Sequence, residues 1–166
     1  MSINRLNKNL ETDCWLTPPE LLKLLGKFDL DLCCPEYMPW RTAKKMVHRP
    51  FDGFAVPWKG RVFCNPPYSD PYPWVNKMSL HHNGIMLLPA KSPETRWGQL
   101  ALDSCDAVLF LKGRLLFHKN DGTLSLGKWG PNMLLAFGPS NARKLDMLIS
   151  DGKLEGILFD KNERGL

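Results

Sequence analysis

The residues best suited to chemistry are Asn65-Pro66-Pro67-Tyr68, which directly follow the apolar residues 62–64. The apolar residues have the composition of a β-strand. The prolines end that strand because proline cannot donate the ladder hydrogen bonds of a sheet. Pro66 also keeps Asn65 out of the helical region. We therefore expect a stiff loop at the carboxyl end of a strand, where open α/β sheets bind their ligands.

The groups of this loop suit a planar amine. The side-chain carbonyl of Asn65 can accept one N–H of an exocyclic amino group, and the main-chain carbonyl of Pro66 can accept the other. Tyr68 offers an aromatic face on which a base can stack, a contact worth about 1–3 kcal/mol. Two acceptors favour a nucleophilic nitrogen, so no strong base is needed. The alternative without a ligand is a Pro-Pro turn in which Asn65 only caps the backbone.

Further segments accompany this motif in a recognisable order. Together they resemble the phage-type DNA N-6-adenine methyltransferases, the Dam-like phage family, over residues 13–138. The resemblance implies a methyl transfer from S-adenosylmethionine to N6 of an adenine that is flipped out of double-stranded DNA. It assigns catalysis to Asn65, Pro66, Pro67 and Tyr68. The segments that carry it, besides this motif, are residues 15–19, 28–31, 58–60, 88–90 and 112–117.

The resemblance also implies a cofactor site. Thr17 and Pro18 open a predicted helix, with Thr17 as N-cap, Glu20 completing a capping box and Gly26 as the stop. The free N–H groups at that helix start suit the carboxylate of the methionine moiety. Asp31 is expected near the carboxyl end of a first strand over residues 28–33, with Asp29 as an alternative of the same chemistry. The expected cofactor-binding residues are Trp15, Thr17, Pro18, Asp31, Cys33, Asp52 and Asn65. Asp52 has an equally weighted alternative, since Asp52-Gly53 is also an ordinary turn signal.

The remaining pattern predicts a Rossmann-like α/β domain over residues 13–166, after a polar N-terminus at 1–12 that we expect to be frayed. The predicted sheet is mostly parallel, with an antiparallel C-terminal strand and helices on both faces. Predicted strands cover residues 62–64, 84–90, 107–111 and 133–137. Predicted helices begin near residues 74 and 93, and a third covers 141–150. Asn83 or Gly84 is the expected left-handed stop of the first of these helices, and Ser92 the expected cap of the second. A short helix near 42–47, a hairpin at 120–122 and a short terminal strand or tail complete the prediction.

Basic residues near the carboxyl ends of the predicted strands are candidates for contacts with DNA. The net charge of +5, from 22 basic and 17 acidic side chains, permits a nucleic-acid partner without requiring one. Arg114 is the first candidate for a phosphate or base contact. The full set is Lys91, Arg96, Lys112, Arg114 and Lys119. Ordinary solvated loops remain the alternative for each of these residues.

Composition bears on several other classes of protein. No apolar run reaches the length of a membrane span, and no signal peptide is recognisable, so we expect a cytoplasmic protein. The five cysteines include no Cys-x-x-Cys pair and are expected to be reduced thiols, and no metal site is predicted. Oligomeric state is left open, with a monomer as one option. Cytosine-N4 methylation, glutamine methylation and a non-catalytic DNA-binding module stay as alternative functions.

Overall fold

The computed structural model describes residues 15–48, 53–125 and 130–161, which form one sheet covered by helices. The expected frayed segment 1–12 lies outside the described residues. The strands are β1 (Leu30–Cys34), β2 (Lys45–His48), β3 (Val62–Cys64), β4 (Gly84–Pro89), β5 (Ala107–Leu111), β6 (Asn132–Phe137) and β7 (Gly156–Asp160). The helices are α1 (Pro19–Leu25), α2 (Tyr72–His81), α3 (Arg96–Ser104) and α4 (Pro139–Ser150).

The sheet has seven strands in the order β2-β1-β3-β4-β6-β5-β7. Strands β2, β1, β3 and β4 pair in parallel. Strand β6 is antiparallel to both β4 and β5, so β4 and β5 run in the same direction. The edge strand β7 is antiparallel to β5. The predicted α/β class and the antiparallel ending are confirmed. Within the described residues, two strands run in the reverse direction, β6 and β7.

The core consists of two apolar layers, one on each face of the sheet. Strand β4 is buried along its whole length, and its successive side chains point alternately to the two faces. Ile85 and Leu87 pack with the helices α1 and α4, whereas Met86 and Leu88 pack with α2 and α3. Full burial of such a side chain contributes about 1.5–3 kcal/mol. The unbroken apolar run therefore predicted a strand buried on both faces, and the structure confirms it.

One edge of the sheet collects the residues of interest. Because β1, β3, β4 and β5 run in the same direction, their carboxyl ends meet at this edge, and the reversed strand β6 begins there. Three segments leave the sheet at this edge, which we call the carboxyl edge. They are residues 65–68, 90–91 and 112–119. Any ligand of the Asn65 loop is bounded by these segments.

Several local predictions were wrong. Residues 45–48 form the parallel strand β2 beside β1, where a short helix had been expected. Helix α2 ends on His82 in the left-handed conformation, φ 52°, one residue before the expected stop. Thr95 caps α3 by accepting a hydrogen bond from the Gly98 amide, whereas Ser92, at φ 57°, lies in the preceding turn.

Other local predictions are confirmed. Gly26 ends α1 with φ 92°, and its N–H donates to the Leu22 carbonyl. The Asp121-Gly122 signal forms a tight turn in which the Gly122 N–H donates to the Lys119 carbonyl at 2.9 Å. A bridge between His118 and Leu124 flanks this turn. Strand β7 forms the short terminal strand that the sequence suggested.

Candidate active site

The side-chain amide of Asn65 is held by two acceptors. Its Nδ2 donates to the Trp15 carbonyl at 3.2 Å and to Thr17 Oγ1 at 3.1 Å. A main-chain carbonyl can only accept, so the NH₂ group must face Trp15 and Oδ1 must face away from it. Both amide hydrogens are thereby used within the protein. The oxygen Oδ1 is the atom left to accept a hydrogen bond from a ligand.

Thr17 orients Asn65 rather than capping a helix. Helix α1 has Pro18 at its N-cap position, with no hydrogen bond from a capping side chain, so the expected capping role of Thr17 was wrong. The Thr17 side chain is buried, at 3% exposure, and its hydroxyl faces the Asn65 amide. Pro18 occupies a helix start as predicted. The sequence therefore predicted the start of α1 correctly. The Thr17 hydroxyl, however, binds the Asn65 amide in the neighbouring loop and does not cap the helix.

Asp31 is a buried carboxyl beside this loop. It is the second residue of β1, which places it before the expected position near the strand end, and it is 4% exposed. Its Oδ1 accepts the N–H of Cys33 at 3.1 Å. Burial raises the pKa of Asp31, while hydrogen bonds from Thr42, Cys34 and Cys33 act in the opposite direction. A buried carboxylate of this kind is stabilised by a ligand that brings positive charge or hydrogen-bond donors.

Asp29 immediately precedes β1 and has a structural role. Its carboxylate accepts the N–H of Arg61 at 2.8 Å and pairs with Lys44 at 2.7 Å. The hydrogen bond from Lys44 is the main reason that the pKa of Asp29 is lowered. Of the two acids with the same chemistry, Asp31 is the one that shares a cavity with Asn65.

A small cavity brings together most of the predicted cofactor-binding residues. Its volume is about 20 Å³, far less than a nucleoside requires. Its predicted members are Trp15, Thr17, Asp31, Cys33 and Asn65, and its further members are Leu16, Cys34, Pro35, Met38, Thr42 and Phe63. Pro18 does not line it, and Asp52 lies outside the described residues. Residues 15–17 line one side of the cavity, where the Asn65 amide donates hydrogen bonds to them.

The cysteines of the cavity are packing groups. Cys33 Sγ lies 3.8 Å from Cys64 Sγ on the neighbouring strand β3. Burial raises the pKa of the Cys33 thiol well above its usual value, and the Cys64 contact adds to the effect. Burial likewise raises the pKa of the Cys34 thiol. Both thiols stay protonated at neutral pH, so neither is a ready nucleophile.

Tyr68 is anchored to the antiparallel strand β6. Its hydroxyl accepts a hydrogen bond from Asn132 Nδ2 at 3.2 Å. Burial raises the pKa of the Tyr68 phenol, so the group stays protonated. The sequence analysis missed Asn132. The available signal was a polar residue at the start of the apolar run of β6.

The predicted DNA-binding residues share the carboxyl edge but differ in their partners. Lys112 pairs with Glu155, and that pair raises the pKa of Lys112. The Arg96 guanidinium lies 3.8 Å from the centroid of the Tyr72 ring. Lys91, Arg114 and Lys119 are exposed and form no ion pair with the described residues. These three cations, and Arg96 with its exposed guanidinium, are therefore available to a polyanion.

The hairpin that carries Lys119 lies beside the site. The backbone groups of His118 and Leu16 exchange two hydrogen bonds, of 2.9 and 3.1 Å. This bridge joins the hairpin to residues 15–17, which line the cavity. Lys119 is consequently placed near the Asn65 loop, although more than fifty positions separate them in the chain.

Two negative findings concern the described residues only. They include no cluster of three or more His, Cys, Asp or Glu side chains that could hold a metal ion. Among the same residues, no helix combines the length and the apolar character that crossing a membrane requires.

An Asn-Pro-Pro-Tyr loop at the carboxyl edge of a mixed α/β sheet is the arrangement expected of an amino-methyltransferase. Comparison with known proteins agrees. The family model for DNA N-6-adenine-methyltransferase (Dam) matches residues 5–148. The chain is 27% identical over 144 residues to the DNA N-6-adenine-methyltransferase of Haemophilus phage HP1 (strain HP1c1), covering 80% of this chain and 82% of the phage protein. No solved structure matches. The chain therefore belongs to the DNA N-6-adenine-methyltransferase family, a family of transferases.

Proposed function

We propose that this protein transfers a methyl group from S-adenosylmethionine to N6 of an adenine flipped out of double-stranded DNA. The family membership supports the DNA substrate and the N6 position. The order of the sheet supports a Rossmann-like methyltransferase fold, because five strands run in one direction and β6 is inserted in reverse between β4 and β5. A DNA substrate also supports a location in the cytoplasm of a bacterial host cell.

The observation that carries the proposal is the orientation of Asn65. Trp15 and Thr17 use both amide hydrogens, so Oδ1 is directed to accept an N–H of the adenine amine. The Pro66 carbonyl accepts the second N–H, and Pro67 keeps the loop rigid. Acceptors fixed in this way stabilise the positive charge that develops on N6 during the transfer. Catalysis of the displacement then depends mostly on position, with no strong base.

Tyr68 is the surface on which the adenine ring stacks. Stacking on an aromatic side chain contributes about 1–3 kcal/mol for each base, which offsets part of the cost of flipping. Its hydroxyl is held by Asn132, so the phenol ring is already fixed when the base arrives. Pairing with a fixed ring loses less side-chain entropy than pairing with a mobile one.

The residues around the cavity fit S-adenosylmethionine by charge. The cofactor supplies an activated methyl group on a positively charged sulfur. Asp31 presents a buried carboxyl that a cationic ligand stabilises, and Cys33 lines the same cavity. The volume of about 20 Å³ means that the walls must separate before the cofactor enters.

The DNA backbone meets the exposed cations of the carboxyl edge. Arg114, Lys119 and Lys91 have no ion-pair partner among the described residues. Phosphate contacts of this kind position the duplex and make binding dependent on salt. Arg96 contacts DNA with its guanidinium stacked on Tyr72, and Lys112 contributes less because Glu155 neutralises it.

The direct test uses labelled S-adenosylmethionine and plasmid DNA from a host without adenine methylation. We expect label in the DNA, and N6-methyladenine as the product when the digested nucleosides are analysed by mass spectrometry. N4-methylcytosine alone, or label on protein glutamine, would overturn the adenine assignment. Calorimetry with S-adenosylhomocysteine separates an enzyme from a DNA-binding module, because only the enzyme releases or absorbs heat on binding it.

A further inference from the structure

The contact between Asn132 and Tyr68 joins the proposed catalytic loop to the middle of the sheet. Asn132 Nδ2 donates to the Tyr68 hydroxyl at 3.2 Å. Asn132 begins β6 and lies opposite Pro89, the last residue of β4. It is 3% exposed. A rigid, buried strand therefore holds the far end of the side chain that projects from the loop.

An asparagine at this position is costly for the fold. Asparagine is a poor strand residue, and every other member of β6 is apolar and buried. The Asn132 Oδ1 atom is buried and finds no hydrogen-bond partner among the described residues. An unpaired buried carbonyl destabilises a protein, and an apolar residue of similar size would avoid that cost. Residues that cost stability are often retained for function.

We propose that Asn132 is a positioning residue, which acts through Tyr68 to hold the aromatic ring where the flipped adenine stacks. This role rests on the proposed function. Because the phenol can donate as well as accept, either orientation of the Asn132 amide joins the two side chains. Burial keeps the phenol protonated, so the contact does not change over the physiological pH range. Without it, the ring is free to turn and the adenine amine loses its alignment with Asn65.

The kinetic test is a double-mutant cycle of Asn132→Leu and Tyr68→Phe. We expect Asn132→Leu to lower kcat by about tenfold, the usual effect of one lost hydrogen bond in a transition state, with the KM for S-adenosylmethionine unchanged. In the Tyr68→Phe background the same substitution should change kcat by less than about twofold, because the hydroxyl is already gone. Equal losses in both backgrounds would overturn the proposal.

Asn141→Leu is the matched control. Asn141 is an equally buried asparagine in α4, where it accepts from Arg61 and donates to the Phe137 carbonyl. Its replacement should lower the melting temperature and leave kcat per folded molecule unchanged. Asn132→Leu should show the reverse pattern, with the melting temperature kept or raised and kcat lowered. A lowered melting temperature with normal kcat for Asn132→Leu would mean a purely structural role.

A second measurement does not depend on activity. The chain has three tyrosines, so 3-fluorotyrosine labelling gives three ¹⁹F resonances, and Tyr68→Phe identifies the one from Tyr68. Asn132→Leu should shift that resonance and leave those of Tyr37 and Tyr72 in place. An unmoved Tyr68 resonance would show that the contact is absent and would overturn the inference. A shifted resonance in a protein that methylates no DNA would instead refute the proposed function, and the positioning role with it.

Discussion

Thr17 Oγ1 accepts a hydrogen bond from Asn65 Nδ2 at 3.1 Å, across 48 positions of the chain. The contact links the segment before α1 to the loop after β3. The same segment is joined through Leu16 to His118 in the hairpin after β5. Three separate parts of the sequence are thereby joined near Asn65, whose Nδ2 is held by residues 15–17 and whose Oδ1 oxygen faces away from them. The orientation of that oxygen is the structural basis of the proposed reaction.

Replacing Thr17 tests whether its hydroxyl orients Asn65. Thr17→Val keeps the shape of the side chain and removes the acceptor. We expect kcat to fall by about fivefold to tenfold, which corresponds to about 1 kcal/mol for one hydrogen bond. Thr17→Ser is the matched control and should retain most of the activity, because it keeps the hydroxyl. Steady-state methylation of plasmid DNA measures both, and equal activity of the valine and serine variants would contradict the role.

Asp31→Asn tests whether the buried carboxyl is present for a ligand. Burial raises the pKa of Asp31 above its unfolded value, so the folded state binds the proton more tightly and the ionised form is destabilising. The variant removes that charge and keeps an oxygen for the Cys33 N–H. We therefore expect it to be as stable as the parent protein or more so at pH 7.5, and to bind S-adenosylmethionine at least about tenfold more weakly.

The pH dependence of this difference has a definite sign. As pH falls below the unfolded pKa of Asp31, both proteins become neutral at this position and their melting temperatures should converge. As pH rises through the raised folded pKa, the parent should lose stability relative to the variant. Calorimetric scans from pH 3.5 to 8 measure the difference in melting temperature between the parent and the variant. Other carboxyl groups, such as Asp29, contribute equally to both proteins and cancel in that difference. A parent that gains on the variant as pH rises would contradict the assigned direction.

Strands that consist of apolar runs could be predicted from the sequence, because burial on both faces of a parallel sheet leaves a clear pattern. Strands β3, β4 and β5 are examples. Strand β2 could not be predicted in this way, since Lys45 is exposed and Met46 and His48 are half-buried. It exists because it pairs with β1, which is a tertiary interaction that local composition does not encode.

The candidate site was predictable to a similar degree. The Asn-Pro-Pro-Tyr loop could be predicted, since two prolines after an apolar strand leave few conformations open. The contact of Tyr68 with Asn132 could not be predicted, because the position of β6 between β4 and β5 depends on the topology of the whole sheet. Thr17 is a third case. The helix start after it was predicted correctly, but its hydroxyl was expected to cap the helix and instead binds Asn65.

Arg114→Ala tests the proposed contact with the DNA backbone. Arg114 is exposed and has no ion-pair partner among the described residues, whereas Lys112 is paired with Glu155. We expect Arg114→Ala to weaken DNA binding and to reduce the slope of log K against log salt by about 1. Lys112→Ala is the matched control and should change the slope less. Fluorescence anisotropy across a salt series measures both, and a larger effect at Lys112 would reverse the assignment.

The most direct measurement is the turnover of Asn65→Ala beside that of Asn76→Ala, an exposed asparagine of α2. We expect Asn65→Ala to lower methylation of DNA by at least about 100-fold, because the acceptor for the developing charge on N6 is gone. The variant should keep a nearly unchanged fold and its binding of S-adenosylhomocysteine, while Asn76→Ala stays fully active. Near-normal turnover by Asn65→Ala would contradict the central role of this side chain.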